Sequence, residues 1–352
     1  MRPSLRLLSP AAQPRSKAIG FIGLGAMGKE MAHNLLTKTF ANDTEASFVV
    51  CDANPAAVTH FLTAHTFLHP GRRIVPSTSP SSLSRLCSTV ITMLPSSPQV
   101  KEVYLCEGGI LEGLKDAIRD ASTLCIECTT CDRQTGVDVA TMIRDQAPPS
   151  QMIDAPVSGG VAGAAAGTLT FLVGSNSAPV FHQAESHLLS MGARAIHCGP
   201  NGTGLTAKIA NNLVLGATML ATAEAMALAL KGGLSSQMMA HVLNTSTGKS
   251  WSSECNNPAP GALKGTKFSP PAERDWEGGF AVRLQAKDLK LALQAAEQVG
   301  LPVPMAMLAS RVYDSLEKRG EYRNKDFSVA FKALLESAQI LQADEKAAST
   351  RA

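Results

Sequence analysis

The stretch AIGFIGLGAMGKEMAHNLL, residues 18–36, decides the fold of this 352-residue chain. An apolar run, Ala18 to Ile22, leads directly into the pattern G-x-G-x-x-G, and an amphipathic helical sequence comes next. In this order the pattern predicts a strand, a tight turn and a helix that together bind a dinucleotide. The expected cofactor-binding loop consists of Gly23, Leu24, Gly25, Ala26, Met27 and Gly28.

The second predicted strand, Ser47 to Asp52, ends in an acid. In dinucleotide-binding folds an acid about 20 residues beyond the glycine loop binds the ribose 2′-hydroxyl and repels a 2′-phosphate. The position of Asp52 therefore indicates NAD rather than NADP as the cofactor. The alternative interpretation is that Asp52 caps the helix that begins near Pro55.

Strand and helix signals alternate up to about residue 200. Further strands are predicted at Thr89 to Leu94, Thr123 to Cys128, Gln151 to Ala155, Thr168 to Val173 and Arg194 to Cys198. A segment rich in Pro and Ser, His69 to Ser82, is predicted to be a surface insertion. We therefore expect an α/β fold with a Rossmann-type doubly wound sheet over residues 18–200.

Strand signals vanish after Gly204, and a long helix dominates the next part of the chain. The sequence GPNGTGLTAKIANNLVLGATMLATAEAMALALK, residues 199–231, is apolar and nearly free of helix breakers after its first turn. We expect it to join the sheet domain to an all-α C-terminal domain, residues 201–345, with a tail at 346–352. Part of Leu213 to Leu230 is expected to be buried against another subunit, giving a homodimer or homotetramer.

Side chains four residues apart share one face of a helix, so Lys208 and Asn212 project together, with Asn211 beside them. Burial disfavours an ammonium ion, so a lysine in this position can lose its proton near neutral pH and act as an acid or base. The alternative is that Lys208 extends to solvent and the asparagines bond locally.

Composition excludes several functional classes. The chain is 45% apolar and 17% charged, with a net charge of +3. Four basic residues and no acid lie in residues 1–17, so the rest of the chain is nearly neutral. We expect a small-molecule substrate and neither nucleic acid nor a membrane as partner. Although Leu213 to Leu230 is almost long enough to span a bilayer, Glu224 lies inside it, which favours a core helix.

The first 17 residues, MRPSLRLLSPAAQPRSK, carry arginine and serine and no acid. This composition is typical of a mitochondrial transit peptide and predicts a protein of the matrix. A disordered cytosolic tail is the alternative.

The 8 cysteines are expected to be free thiols, since no secretory signal precedes them. The spacing of Cys125, Cys128 and Cys131 could indicate part of a metal site, but a fourth ligand at a familiar spacing is missing. We therefore predict no metal.

A glycine-rich bend, PVSGG at residues 156–160, lies between two predicted strands. Its backbone N–H groups and the hydroxyl of Ser158 could hold a carboxylate, although such a bend is more often a plain turn.

Several motifs in one order carry a resemblance to a known family. These are GFIGLGAMGKEMAHNLL, TMLP, IECTTCD, APVSGGVAGAAAGTLTFLVG, GPNGTGLTAKIANN and GGFAVRLQAKDLKLA. Together they closely resemble the β-hydroxyacid dehydrogenase family over nearly all of the chain after residue 17. The segment from Asn244 to Gly261 is similar to the mitochondrial, NAD-dependent branch that oxidises 3-hydroxyisobutyrate in valine breakdown.

The resemblance implies roles for individual residues. Lys208 matches the catalytic lysine, and Asn212, Ser158, Gly159 and Gly160 match the substrate-binding positions. The remaining matches are cofactor contacts at Leu94, Pro95, Gln99, Thr130 and Lys287. Two positions depart from the pattern, since Cys128 stands where serine is usual and Gln99 where asparagine is common.

We therefore expect oxidation of 3-hydroxyisobutyrate to methylmalonate semialdehyde, with Lys208 as the base. One alternative is a related enzyme that reduces glyoxylate, tartronate semialdehyde or succinate semialdehyde. A second is a protein that binds the cofactor without catalysis.

Overall fold

The computed structural model of the chain describes residues 18–116 and 122–338. These residues divide into two compact units. The first contains the described residues up to Val157 together with Ala164–Gly204, and the second contains Ser158–Gly163 and the described residues from Leu205 onward. The predicted leader at residues 1–17 and the predicted tail at 346–352 lie outside the described residues.

Strands and helices alternate through the first unit. The strands are β1 (Ala18–Ile22), β2 (Ser47–Cys51), β3 (Arg73–Pro76), β4 (Thr89–Thr92), β5 (Leu124–Glu127), β6 (Gln151–Asp154), β7 (Val157–Ser158), β8 (Leu169–Gly174) and β9 (Gly192–Gly199). The helices are α1 (Gly28–Asn42), α2 (Pro55–Leu68), α3 (Pro80–Leu86), α4 (Ser97–Leu105), α5 (Ile110–Lys115), α6 (Arg133–Gln146), α7 (Gly160–Ala166) and α8 (Ala178–Met191). The division between the units falls within β7, within α7 and within the first turn of the helix Thr203–Lys231.

The nine described strands form one sheet, in the order β3-β2-β1-β4-β5-β6-β8-β7 with β9 beside β8. Strand β1 pairs in parallel with both β2 and β4, so that Ile22 lies opposite Cys51 on one side and Thr92 on the other. Successive strands thus continue in opposite directions from β1, which is the predicted doubly wound arrangement. The loops after β1 and β4 diverge at this switch point, where such sheets bind their ligands.

The sheet is parallel from β3 to β6. Strand β8 pairs antiparallel to β6, with Asp154 opposite Gly174, and parallel to β9. Glycine is needed there, because a side chain at Gly174 would collide with the carboxylate of Asp154. That carboxylate also accepts a hydrogen bond from the backbone N–H of Gly202, at 2.7 Å. Asp154 therefore secures the segment that leads out of the sheet.

Residues 69–82, predicted as a surface insertion, contribute a strand to the sheet. Residues Arg73–Pro76 form β3, which pairs in parallel with β2 from Ser47 to Val50. Two β-branched residues, Ile74 and Val75, lie in the middle of this strand and favour extended structure. The surrounding Pro and Ser residues favour a loop and so obscured this strand pattern. In the structure Pro76 ends the strand, and Ser79 and Pro80 begin α3.

Short elements were also missed. Helix α5 has only six residues, and helix α7 consists of glycine, alanine and valine. Sequences this short give too few turns for apolar periodicity to be read.

The second unit is helical. Its helices are α9 (Thr203–Lys231), α10 (Ser236–Thr245), α11 (Trp251–Glu254), α12 (Val282–Gln298), α13 (Pro304–Lys318) and α14 (330–338). The predicted all-α character of this part of the chain is confirmed. A 3₁₀ turn at Phe327–Val329 precedes α14, whose end lies outside the described residues.

Each unit has its own apolar core. In the first, side chains on one face of the sheet, such as Phe21, Phe48 and Phe171, are fully buried in a single cluster. In the second, buried residues of α9 including Met219 and Met226 pack in one cluster with residues of α12 and α13. Each unit therefore buries enough apolar surface for an independent core.

Helix α9 has a mixed environment. Of the helices described, it is the one whose length and composition would allow it to cross a membrane. Within its most apolar 18-residue segment, 28% is buried inside the protein. Val214 and Leu228 are exposed along it, at 57% and 76%, as is Glu224. Part of the apolar surface of α9 is therefore uncovered in the single chain.

Candidate active site

The three glycines of the loop after β1 differ in their surroundings. Gly23 has a φ of 98°, and a side chain there would overlap the carbonyl oxygen of Met93. A side chain at Gly28 would overlap the carbonyl oxygen of Gly23, so α1 starts directly against the turn. At Gly25, by contrast, no atom lies within 4 Å of an added Cβ. Packing within the protein requires two of the glycines, and the third leaves space for a pyrophosphate to approach the backbone.

The other residues of this loop are arranged around the start of α1. Leu24 is buried in the core of the sheet, whereas Ala26 is exposed. Met27 is the N-cap residue, and its side chain makes no capping hydrogen bond. The amino end of a 15-residue helix is thus left available to an anion.

Asp52 comes directly after β2 and is held by two backbone groups. Its Oδ2 accepts a hydrogen bond from the N–H of Leu24 at 2.6 Å, and its Oδ1 accepts one from the N–H of Asn54 at 2.7 Å. The side chain that caps α2 is that of Asn54, which accepts from the N–H of Ala56. The alternative in which Asp52 serves as this cap is therefore wrong, and its charge lies beside the glycine loop.

The loops after β4 and β5 contain the next group of predicted cofactor contacts. The N–H of Leu94 donates to Oγ1 of Thr129 at 2.8 Å, which links the two loops. Pro95 is exposed and Thr130 is half-buried. Gln99 lies in the first turn of α4, where its Oε1 accepts from the hydroxyl of Ser96 at 2.6 Å. The loop with Leu94 and Pro95 is thus linked to the loop with Thr129 and Thr130, and Gln99 lies on the helix after the first loop.

Cys128 departs from the family pattern without facing this edge. It is fully buried and belongs to the apolar cluster of the first unit. Burial raises the pKa of its thiol well above the usual value, so it is a neutral core residue. Within the described residues, no three His, Cys, Asp or Glu side chains gather where they could bind a metal ion.

Lys208 and Asn212 meet on α9, as their spacing predicts. Nζ of Lys208 donates to Oδ1 of Asn212 at 3.0 Å, and the Lys208 residue is only 7% exposed. Nδ2 of Asn211 donates to the same oxygen at 3.1 Å. The alternative in which Lys208 extends to solvent is therefore wrong.

Asp288, which sequence reasoning missed, completes this group from α12. Nδ2 of Asn212 donates to Oδ2 of Asp288 at 2.5 Å, and Asp288 is 3% exposed. Gln285, almost one turn earlier on α12, donates from Nε2 to the backbone oxygen of Asn212 at 3.1 Å. Glycine at position 216 makes this approach possible, because a side chain there would collide with Gln285. The only sequence signal was an acid beside Lys287 in AKDL.

This environment lowers the pKa of Lys208 from 10.5 to about 8. Burial is the main cause, because it disfavours the charged ammonium form. The negative charge of Asp288 opposes the effect, and the positive charge of Lys287 adds to it. Lys208 can therefore exchange a proton close to physiological pH.

Lys287 is placed beside Asp288. Its Nζ lies 3.3 Å from Oδ1 of Asp288, and its side chain is 28% exposed. The predicted cofactor lysine thus also belongs to the group of charges around Lys208.

The bend at Ser158, Gly159 and Gly160 belongs to the same unit as Lys208 and Asn212. Gly159 and Gly160 have φ angles of 135° and 62°, which strongly favour glycine. A side chain at Gly160 would meet no atom within 4 Å, so backbone conformation and not crowding requires glycine there. Such a backbone presents successive N–H groups to an anion.

Two family profiles together match most of the chain. Residues 18–199 match the NAD-binding domain of 6-phosphogluconate dehydrogenase. Residues 202–334 match a domain described as NAD-binding of NADP-dependent 3-hydroxyisobutyrate dehydrogenase.

Similar proteins have been named in several organisms. A probable mitochondrial 3-hydroxyisobutyrate dehydrogenase of Dictyostelium discoideum is 38% identical over 316 residues, covering 90% of each chain. The mitochondrial 3-hydroxyisobutyrate dehydrogenase of Homo sapiens is 36% identical and covers 90% of this chain and 87% of its own. An NAD-dependent L-serine dehydrogenase of Pseudomonas aeruginosa is 38% identical and covers 90% and 97%.

One solved structure is also similar over most of its length. The 3-hydroxyisobutyrate dehydrogenase of Mycobacterium tuberculosis, solved with L-serine, has a TM-score of 0.77 and 32% identity, covering 90% of this chain and 99% of its own.

Replacing Asp288 with asparagine tests the charge network directly. The new amide oxygen would still accept the hydrogen bond from Asn212, but the negative charge that stabilises the Lys208 ammonium would be gone. We expect the pKa of Lys208 to fall by about one pH unit. NMR titration of the lysine Cε and Nζ signals measures this value, with Lys208 identified by its loss in Lys208→Met.

Asp314→Asn is the matched control, because Asp314 lies on α13 and pairs with Lys290 at 2.9 Å. It should leave the titration of Lys208 where it was. An unchanged midpoint in Asp288→Asn would contradict the assignment of Asp288.

Proposed function

The chain belongs to the β-hydroxyacid dehydrogenase family, and from this membership we propose that it oxidises 3-hydroxyisobutyrate to methylmalonate semialdehyde with NAD. The observation that carries the proposal is the buried Lys208, whose pKa is lowered to about 8 and whose Nζ bonds to Asn212. Such an amine is available as a base for an alcohol near neutral pH.

The substrate has two polar groups, a carboxylate at one end and a primary alcohol at the other. The bend at Ser158, Gly159 and Gly160 offers a hydroxyl and backbone N–H groups, which suit the carboxylate. Lys208 and Asn212 suit the alcohol, to which they can form hydrogen bonds. Since these residues belong to one compact unit, the unit carries donors for both ends of the substrate.

Lys208 performs the proton transfer. In its neutral form, Nζ of Lys208 accepts the proton of the substrate hydroxyl. At the same time a C–H bond breaks at the carbon that bears this hydroxyl. NAD, when bound, supplies the acceptor for the hydride that leaves this carbon. In the reverse direction the Lys208 ammonium returns the proton to the oxygen.

Asn212 orients the reacting groups. One N–H of its Nδ2 is committed to Asp288, which sets the direction of the amide and turns Oδ1 towards Nζ of Lys208. The second N–H of Nδ2 can then bind the oxygen of the substrate. Asp288 acts through Asn212 and through its charge, and we assign it a positioning role.

The glycine loop and Asp52 support NAD as the cofactor. The space at Gly25 and the uncapped start of α1 suit the pyrophosphate, and the carboxylate of Asp52 suits the ribose 2′-hydroxyl. A 2′-phosphate would place a second negative charge beside Asp52. Leu94, Pro95, Gln99, Thr130 and Lys287 are the remaining residues that we assign to the cofactor.

L-serine is the second candidate substrate. The similar protein of Pseudomonas aeruginosa is named an L-serine dehydrogenase, and the similar structure from Mycobacterium tuberculosis was solved with L-serine. L-serine is also a 3-hydroxy acid and differs at C2, where an ammonium group replaces a methyl group. The same carboxylate and hydroxyl contacts therefore serve both compounds.

We propose that the protein resides in the mitochondrial matrix. Its composition over residues 1–17 supports import, and the similar proteins of Dictyostelium discoideum and Homo sapiens are named mitochondrial. A reporter fused to residues 1–17 should co-fractionate with matrix markers. A fused reporter that stays in the cytosol would contradict this proposal.

The uncovered apolar surface of α9 supports assembly with a second copy of the chain. The helix is about 43 Å long, with Val214 in its first half and Leu228 near its end, both exposed. Light scattering after size-exclusion chromatography should give a dimer or tetramer without detergent. A monomer, or a protein that is soluble only in detergent, would contradict the proposal.

A comparison of kcat/KM values tests the proposed reaction. With NAD we expect 3-hydroxyisobutyrate to exceed L-serine by about tenfold or more, since one wrong group in a pocket costs roughly 1–3 kcal/mol. NAD should likewise exceed NADP. The comparison includes reduction of glyoxylate, tartronate semialdehyde and succinate semialdehyde by NADH and NADPH.

Preferred reduction of one of these compounds would favour the related reductases, and a preference for NADPH would contradict the role of Asp52. A protein that binds NADH but turns over none of the compounds would favour the non-catalytic alternative.

A further inference from the structure

Glu127 is a buried carboxyl group that the proposed reaction does not use. It is the last residue of β5 and is fully buried. Its hydrogen bonds come from a hydroxyl group and a backbone N–H, both within the first unit. Burying an acid is costly unless it is hydrogen-bonded. These hydrogen bonds offset the cost and also fix the groups that donate them.

The first set of bonds joins Glu127 to β4 and α4. Oγ1 of Thr92, the last residue of β4, donates to Oε2 of Glu127 at 2.6 Å. The same Oγ1 lies 2.8 Å from the hydroxyl oxygen of Tyr104, on α4. Since the proton of Thr92 is given to Glu127, Tyr104 donates to Thr92. The carboxyl group thus ends a chain of hydrogen bonds that ties α4 to the sheet.

The second set joins Glu127 to the two loops beyond the strands. Its Oε1 accepts from the N–H of Thr129 at 2.7 Å. Oγ1 of Thr129 in turn accepts from the N–H of Leu94 at 2.8 Å. Glu127 therefore reaches both the Leu94–Pro95 loop and the Thr129–Thr130 loop.

We propose that Glu127 is a positioning residue for the cofactor, and that through Thr92 and Thr129 it fixes the two loops that carry Leu94, Pro95 and Thr130. The inference rests on the proposed function, because those three residues are among the ones assigned to the cofactor. It adds a residue that touches neither cofactor nor substrate.

The protonation of Glu127 gives this role a distinctive signature. Burial raises its pKa to about 7, the hydrogen bonds from Thr129 and Thr92 oppose the effect, and the charge of Asp154 adds to it. The other groups around it are Tyr104 on α4, Cys125 on β5 and Cys128 in the loop after β5. Burial raises the pKa of each of these three, so they stay neutral in the range where Glu127 titrates.

The sign of the expected effect follows from the strength of the acceptor. The ionised carboxylate accepts from the hydroxyl of Thr92 and from the N–H of Thr129. Protonation weakens these bonds, because a neutral carboxyl group is a poorer acceptor than a carboxylate. The loops are therefore held best when Glu127 is ionised, and cofactor affinity should fall as the pH falls through about 7.

The test is NADH binding, measured by fluorescence titration between about pH 6 and pH 9 in wild type and Glu127→Gln. Glutamine resembles the protonated acid in shape and charge. Above pH 8 we expect its Kd to be about tenfold higher than that of wild type, the effect of a lost bond to a charged group. Near pH 6 the ratio of the two Kd values should approach one.

Ser84→Ala is the control for a general loss of stability. Ser84 is fully buried in the same unit, on α3, where its hydroxyl donates to the backbone oxygens of Ser81 and Ile110. Its removal should lower thermal stability without altering the Kd for NADH. A Kd ratio for Glu127→Gln that is the same at every pH would indicate a merely structural role and overturn the proposal.

Thr129→Val keeps the proposal testable if Glu127→Gln does not fold. It breaks the link to Leu94 and leaves the carboxyl group, so weaker NADH binding is expected; wild-type affinity would overturn the proposal. NADH binding is measured without substrate. A wild-type protein that binds NADH but does not oxidise 3-hydroxyisobutyrate would therefore contradict the proposed function alone. A wild-type protein that binds no NADH would overturn both.

Discussion

The proposed chemistry depends on keeping one ammonium ion poorly hydrated. Lys208 lies on an apolar helix and is almost fully buried, which would be costly for a charge with no partner. The amide of Asn212 and the carboxylate of Asp288 supply the partners, one by hydrogen bond and the other by charge. The balance between burial and Asp288 holds the pKa near 8, where a lysine can both accept and return a proton.

A second device, an acid that accepts backbone N–H groups, recurs in several loops of the chain. Asp52 binds the N–H of Leu24, Asp154 that of Gly202 and Asp326 that of Phe280. Glu127 does the same for Thr129 at the end of β5. A carboxylate accepts several strong hydrogen bonds, so one buried acid can order a whole loop. The strands and helices therefore provide the frame, and acids at their ends set the conformation of the functional segments.

Periodic and local features could be read from the sequence, whereas contacts between distant segments could not. The glycine loop, the long helix and the pair Lys208 and Asn212 depend on spacings of a few residues. Asp288 lies 76 residues from Asn212, and only folding shows that they meet. Strand β3 escaped prediction because four residues carry little pattern, and its pairing with β2 is what stabilises it. The place of Asp52 at the end of β2 could be read from the sequence, but its bond to the glycine loop required the structure.

The central claim is that the amine of Lys208 carries the proton. The most direct measurement is the pH dependence of NADH formation from 3-hydroxyisobutyrate in wild type and in Lys208→Met, with Lys290→Met as control. We predict a wild-type kcat/KM that rises with pH through about 8 to a plateau, with a normal control. In Lys208→Met we predict a loss of roughly 10²-fold to 10⁴-fold on that plateau, which becomes smaller at lower pH, where the wild-type amine is protonated. A Lys208→Met variant that kept the wild-type rate and pH profile would contradict this claim.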